Sequence, residues 1–375
     1  METTTAAFRL AHAAGNAADG LVDKCLEQLR PLPPDAPIGF VYATDLLHAE
    51  FDAMVERLKR ATGIAHWVGT IGYGICVTGH EYFDQPALAV LVGALDAESF
   101  RVLPNLKRPG DPLPEDVSNW VSRAHPTLGV VHGDPRNQYL PQIIDSVSDD
   151  ANCFLIGGIT ATRGAVRQTA DGPCEGGVSG ILFGDTVQIA SGLSQGCSPI
   201  GPIRRITAGR ENVLMELDGR KALDVFKEDV GEAVAQNLVR AAGNIHAALP
   251  IPGSDRADYM VRNLVGIDPG KGWLAIGARI ERGDRVMFVR RDAASAMADL
   301  DRMTTDVAKR AGTAPKAALY FSCVARGPNL FGPNSEELTR VREAIGDVPL
   351  IGFYANGEIS NNRLYGYTGV LAVIG

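Results

Sequence analysis

Short apolar runs broken by glycine and polar turns set the pattern of this chain, and three stretches repeat the same succession of them: 38–95, 127–185 and 317–375. Each opens on a strand-like run, Ile38-Gly39-Phe40-Val41-Tyr42, Leu128-Gly129-Val130-Val131-His132 or Ala318-Leu319-Tyr320-Phe321-Ser322. A polar loop and a helix follow. Helical spacing is plain at Leu47, Phe51, Met54, Val55 and Leu58 in the first copy and at Leu338, Val341 and Ile345 in the third. Gly63 and Gly346 stand where left-handed C-caps belong, and Asn334 with Glu337 reads as a capping box. A second strand then runs into glycine each time, at Val68-Gly69, Ile156-Gly157 and Ile351-Gly352, and after another polar loop comes a third, at 88–92, 178–182 and 369–373. The unit reads β–α–β–loop–β, with its first two strands parallel across the crossover helix and its third returning antiparallel.

Two further pieces read as a hairpin followed by a helix. One has strands at 203–207 and 213–217, a turn centred on Gly209 and a helix near 221–228; the other has strands at 273–276 and 286–289, a turn at Gly283-Asp284 and a helix over about 293–311 capped by Asp292 and ended by Gly312. Between them, 243–256 carries Pro250, Pro252 and Gly253 and is expected to link two lobes; 103–116, rich in proline, glycine and charge, is expected as a surface loop. The fold class is α/β: two lobes of mixed β-sheets flanked by helices, built from the repeated units plus the hairpin–helix pieces.

Composition adds three constraints. Hydrophobic residues at 45% and charged residues at 21% are globular values, so 375 residues support a sizeable core. A net charge of −8 disfavours nucleic acid and anionic membrane surfaces as partners, and no apolar run approaches the roughly 18 residues of a spanning helix. The start lacks the basic-then-apolar order of a signal peptide, so a cytoplasmic protein is expected. Six scattered cysteines make no CxxC and no zinc spacing, which suits reduced, small core residues. Glycine is in excess, 42 residues, and 25 of them fall in the three repeats.

Familiar catalytic and nucleotide motifs fail. Gly266 to Gly272 lacks the spacing and the Ser/Thr of a P-loop and reads as a turn, Gly177-Val178-Ser179-Gly180 is not a nucleophile elbow, and His80-Glu81 lacks a second histidine four residues from the first and is expected in a loop. The informative segment is Phe321-Ser322-Cys323-Val324-Ala325-Arg326-Gly327, where a strand ends on a thiol, a guanidinium and a glycine, groups able to hold a carboxylate or another oxyanion. The next strand ends at Tyr354-Ala355-Asn356-Gly357-Glu358. Ends of adjacent parallel strands open on one edge, so Arg326 and Glu358 are expected to offer a cation and an anion to a zwitterion such as an amino acid. The bland alternative is that the two pair with each other and Cys323 is a buried small residue. Gly72-Tyr73-Gly74, the corresponding loop of the first copy, either covers a ligand by close backbone approach or makes a tight turn. A cysteine-dependent enzyme using Cys323, its thiol activated by Arg326, is the catalytic alternative, though no base is evident.

Phe321-Ser322-Cys323-x-x-Arg326-Gly327, Leu330-Phe331-Gly332, Pro349 to Tyr354 with Gly357-Glu358-Ile359, and Tyr367-Thr368-Gly369 together resemble the C-terminal part of FIST domains (F-box and intracellular signal transduction). Val68-Gly69 with Gly72 and Gly74, the tract from Gly184 to Pro202 ahead of Arg204-Arg205-Ile206-Thr207, and Glu216-Leu217-Asp218-Gly219 with Ala222 are similar to the N-terminal part. On this resemblance the chain divides into an N-terminal segment at 1–34, a FIST N-terminal domain at 35–242, a linker at 243–256 and a FIST C-terminal domain at 257–375. It implies a small-ligand sensory domain of signal transduction, with amino acids proposed as ligands and output through a separate signalling protein. The site expected is Cys323, Arg326, Gly327, Tyr354, Asn356, Gly357 and Glu358 with Gly72, Tyr73 and Gly74, and no metal. No cofactor is assigned. Some members are described as haem-binding nitric oxide sensors; no haem motif occurs here, and His132 at a strand end is the first candidate ligand for that alternative. The final strand, 369–374, is read as an open edge that permits a homodimer.

Overall fold

A computed structural model describes residues 7–231, 244–251, 258–312 and 314–375. The first copy supplies β1 (Phe8–Ala14), α1 (Ala18–Gln28), β2 (Ile38–Thr44), α2 (Phe51–Thr62), β3 (His66–Gly72), β4 (Gly74–Val77), β5 (His80–Phe83) and β6 (Ala87–Gly93). The second follows the same order with β7 (Phe100–Leu106), α3 (Glu115–Ala124), β8 (Leu128–Gly133), α4 (Leu140–Ala151), β9 (Phe154–Ile159), β10 (Gln168–Ala170), β11 (Pro173–Cys174) and β12 (Val178–Phe183). The third begins with β13 (Ile189–Gln195) and is then interrupted. The interruption holds β14 (Cys197–Pro199), β15 (Arg204–Arg210), β16 (Val213–Leu217), β17 (Arg220–Lys221), α5 (Ala222–Val230), β18 (Ile245–Pro250), β19 (Tyr259–Asp268), β20 (Trp273–Ile276) and β21 (Arg285–Arg291). The copy resumes with α6 (Ala293–Ala311), β22 (Ala317–Cys323), α7 (Glu336–Ile345), β23 (Leu350–Ala355), β24 (Glu358–Ser360), β25 (Arg363–Tyr365) and β26 (Thr368–Ile374). Each repeat is therefore longer than the unit read from the sequence by one flanking strand and one helix.

The chain separates into two compact units, one of residues 1–194, 298–364 and 368–375, the other of 195–297 with 365–367. This division runs differently from the expected 35–242 and 257–375. Within the segment expected as a linker, Ile245–Pro250 is a strand paired on both sides, and residues 243 and 252–256 lie outside the described residues.

In the first unit each repeat forms the centre of one six-stranded sheet. Its first and second strands pair in parallel, β2 with β3, β8 with β9 and β22 with β23, and its third returns antiparallel as β6, β12 or β26. The hairpin that follows the second strand does not stay at home. β10–β11 of the second copy completes the first sheet, β24–β25 of the third completes the second, and β4–β5 of the first completes the third. On the opposite flank β1, β7 and β13 cover β6, β12 and β26. The edge expected to be open along 369–374 is thus paired, because the flanking strand β13 was not anticipated. Likewise residues 103–106 of the expected surface loop belong to β7, an edge strand that tolerates Pro104.

Glycine makes the parallel pairs close. Gly69, Gly157 and Gly352 face Val41, Val131 and Tyr320 in register, and a Cβ at each would stand 1.8, 1.9 and 1.7 Å from the carbonyl oxygen of that partner. One residue further along the first strands lie Tyr42, His132 and Phe321, whose rings meet pairwise with centroids 5.5–6.4 Å apart. They belong to the central core shared by all three sheets, with Phe40, Val130, Leu319, Phe353 and Val370. The outer faces bury the apolar stripes of the helices: Leu21, Val22, Phe51 and Leu58 on the first sheet, and Trp120, Ile144 and Val147 on the second.

The second unit is antiparallel. β21, β15, β16, β20, β19 and β18 pair in succession and β18 returns to β21, which closes a six-stranded barrel around Ile206, Leu214, Leu274, Ile276 and Phe288, with Phe226 of α5 packed edge-on against Phe288. The two expected hairpins differ here. Gly209 lies within β15 and the turn falls at Glu211, while β20 and β21 pair with other strands of the ring. The expected helices are present as α5 and α6, with Asp292 accepting the Ala294 N–H and Gly312 at φ 81°.

Candidate functional site

Charge is concentrated where the first strand of each repeat ends. The Asp45 carboxylate, 2% exposed, is gripped by Arg163: Nε and the backbone N–H donate to Oδ2, both at 2.8 Å, and Nη2 to Oδ1 at 2.7 Å. Asp134 is held by Arg136 and by the Gly176 N–H, which keep its carboxyl below the usual range against the cost of burial. The third copy reverses the sign. Arg326, wholly buried, donates from Nε to Glu337 Oε1 at 2.7 Å, and Phe331 lies over its guanidinium. Glu337 also accepts from the Tyr320 hydroxyl, Ser322 Oγ and the Gly327 N–H.

Glu337 therefore faces inward, and the expected capping box does not form: Ser335 precedes α7 at φ 57° without a side-chain cap. Glu358 is not the partner of Arg326. Its Oε2 accepts from Thr368 N–H and Oγ1 at 3.2 and 2.7 Å, and its Oε1 and Arg326 Nη1 are buried without a hydrogen bond. Burial raises its carboxyl to about 8, with Thr368, Arg326 and Cys323 opposing. Of the other expected site residues, Gly327 takes φ 50° beside the Tyr354 ring, Gly357 accepts from Ile159 N–H, and exposed Asn356 donates its N–H to Ile159. Cys323 is buried at the end of β22. Gly72 and Gly74 make a tight turn packed on Phe353 and on the Tyr82 carbonyl.

Tyr73, between those glycines, is half-buried. With Phe83, Asp84, Arg163, Val324 and Asn329 it lines a cavity of about 330 Å³ drawn from loops of all three repeats. Arg163 is its cationic wall: Nη1 donates to Asp84 Oδ1 at 3.0 Å, and the guanidinium carbon stands 5.3 Å from the Tyr73 ring centroid. Three of its five N–H groups are engaged with carboxylates through Nε, Nη1 and Nη2, which leaves two for another acceptor. Behind the cavity Phe83 packs on Tyr354 at 4.4 Å, and the Tyr354 hydroxyl donates to Glu81 Oε2. Glu81 and His80 lie on β5, not in a loop. Sequence reading found Tyr73 but missed Arg163, in the counterpart loop of the second copy, and Phe83 and Asp84, at the end of the first copy's hairpin and just past it; superimposing the three repeats would have pointed to 160–164.

His132 does not suit haem. Its ring lies in the central core between Tyr42, Phe321 and Phe353, Nε2 is hydrogen-bonded to the Tyr42 hydroxyl at 3.0 Å, and burial lowers its pKa to about 3. An iron at Nε2 would have to displace that core.

The fold is mixed α/β, with a polar-and-aromatic cavity at its strand ends. The FIST N domain matches residues 38–220 and the FIST C domain 222–361, so the chain belongs to the FIST family, domains that serve as sensory modules of signal transduction. It is 30% identical over 349 residues to an uncharacterised protein of Mycobacterium tuberculosis, covering 88% of this chain and 87% of that one. An uncharacterised protein of Mycobacterium bovis is 29% identical over 323 residues, 82% of each. No helix among the described residues is long and apolar enough to cross a membrane.

Proposed function

We propose that this chain is a cytoplasmic small-ligand sensor that binds an amino acid or a similar zwitterionic metabolite in the Arg163/Asp84 cavity and signals through a separate protein. The observation that carries the reading is the pairing, on one cavity wall, of a guanidinium with spare N–H groups and an exposed carboxylate, flanked by Tyr73 and Phe83. A ligand carboxylate takes the remaining Arg163 donors, its ammonium takes Asp84, and an apolar side chain lies on the rings. Arg326 and Glu358, the ligand groups expected from the sequence, are wholly buried, Arg326 against Glu337 and Glu358 against Thr368.

Thermal-shift measurement against the twenty L-amino acids tests this. A ligand at a hundred times its Kd stabilises the native state by about 2.7 kcal/mol. Asp84→Asn, at an exposed side chain, should weaken binding about tenfold; a panel without any shift at millimolar concentration sinks the reading.

A further inference from the structure

The cavity walls rest on a buried polar cluster that no ligand contact requires. Phe83 closes β5 two residues after Glu81 and Asp84 follows it, while Val324 and Asn329 flank Arg326 and Gly327. Tyr354 stands between the two walls: its ring touches Phe83 and underlies Gly327, where a Cβ would come within 2.8 Å of it, and its hydroxyl is bound to Glu81. Glu81 is also tied to α7, since its N–H donates to Ser335 Oγ at 3.1 Å. Glu81 thus meets the aromatic wall through its carboxylate and, through its backbone N–H, the start of the helix that anchors the opposite loop through Glu337.

We propose that Glu81 is a positioning residue for the cavity: through the Tyr354 hydroxyl it fixes the Phe83 wall, and its charge state sets the place of that wall and the affinity of the site. This rests on the ligand reading only for the affinity.

The groups facing Glu81 make its charge responsive. Cys76, its register partner on β4, contributes a thiol, Tyr354 on β23 a phenol, and Glu337 on α7 a like charge already paired with Arg326. His80 and Tyr82 flank it on β5, and Arg342 of α7 packs over the Gly79 turn. Burial raises the Glu81 carboxyl to about 7, against the Tyr354 hydrogen bond, so it changes charge near neutrality. Ionised, it accepts a charge-assisted bond from Tyr354 and adds negative potential behind Asp84, both favouring an ammonium-bearing ligand; binding of such a ligand then expels a proton.

The test follows the Phe83 ring by NMR from pH 5 to 9 and titrates L-phenylalanine as probe at pH 6 and 8.5, in the wild type and in Glu81→Gln. The proposal expects Phe83 signals to move with one midpoint near neutrality and to stand still in E81Q, and phenylalanine affinity to rise at least about threefold over that interval in the wild type alone. Should E81Q fail to fold, Tyr354→Phe, which removes only the hydroxyl, makes the same comparison. A Phe83 ring that does not titrate, or titrates equally in the variant, overturns the proposal. Absence of phenylalanine binding at every pH counts against the ligand reading, while the ring titration still decides the role of Glu81.

Discussion

Three glycines set how closely the strands of the first unit approach, and their replacement is the sharpest residue-level test. Gly352→Ala places a methyl 1.7 Å from the Tyr320 carbonyl oxygen, which only backbone displacement can relieve. A loss on the order of 3 kcal/mol or more in urea unfolding is expected. Gly20→Ala in α1 meets nothing closer than 3.9 Å and should instead gain about 0.5–1 kcal/mol. Glu337→Ala leaves the Arg326 cation buried and strips a shared acceptor from Tyr320, Ser322 and Gly327; about 3–5 kcal/mol is the expected cost by the same measurement. The glycines were legible because they recur at one place in a pattern. Glu337 was not, since a glutamate at the start of a helix has an adequate local explanation as a cap, and only tertiary packing turns it toward an arginine eleven residues away. Arg326 was read as a ligand contact, and its neighbour in space, Glu337, was beyond what spacing reveals.

At the level of elements, the parallel first and second strands, the antiparallel third strands and the crossover helices of the first and third copies were visible as pattern. The hairpins were not. They were read as polar loops because β10, β11, β24 and β25 are only two or three residues long and owe their pairing to a strand of a different copy, for which no local signal exists. The same exchange makes a prediction about cooperativity. Val68→Ala removes buried apolar contacts from the first sheet at a cost of roughly 2 kcal/mol. Hydrogen exchange followed by mass spectrometry should then show protection falling alike in β2–β3, in β8–β9 and in β22–β23, because each sheet contains a hairpin from another. Loss confined to the first sheet would show that the copies open independently.

For the whole molecule, pH reports on groups that the fold holds away from their ordinary charge. Glu81 and Glu358 are raised to about 7 and 8 by burial, so the fold prefers them protonated, and the stability they contribute is lost as pH rises from about 4.5 through those values. His132 and His246 are lowered to about 3 and 4, so the fold prefers them neutral, and stability falls as pH drops below about 6.5. The two trends oppose between about pH 4.5 and 6.5, where the melting temperature should be nearly flat. Above that it should decline toward pH 8, less steeply in E81Q and Glu358→Gln; equal slopes in wild type and variants would refute the assignment. Two lobes were foreseen from the length and the hairpin–helix pieces, but not that the barrel interrupts the third repeat between β13 and α6, since a chain read in order gives no sign that its ends belong to one core. The lending of hairpins from copy to copy closes on itself after three steps. An open stack of repeats can gain or lose a member at either end, whereas here a fourth would find no vacant receiver and a missing one would leave its neighbour's hairpin homeless. The number three is thereby locked into the architecture, and sequence is free to drift within each member but not to change how many there are.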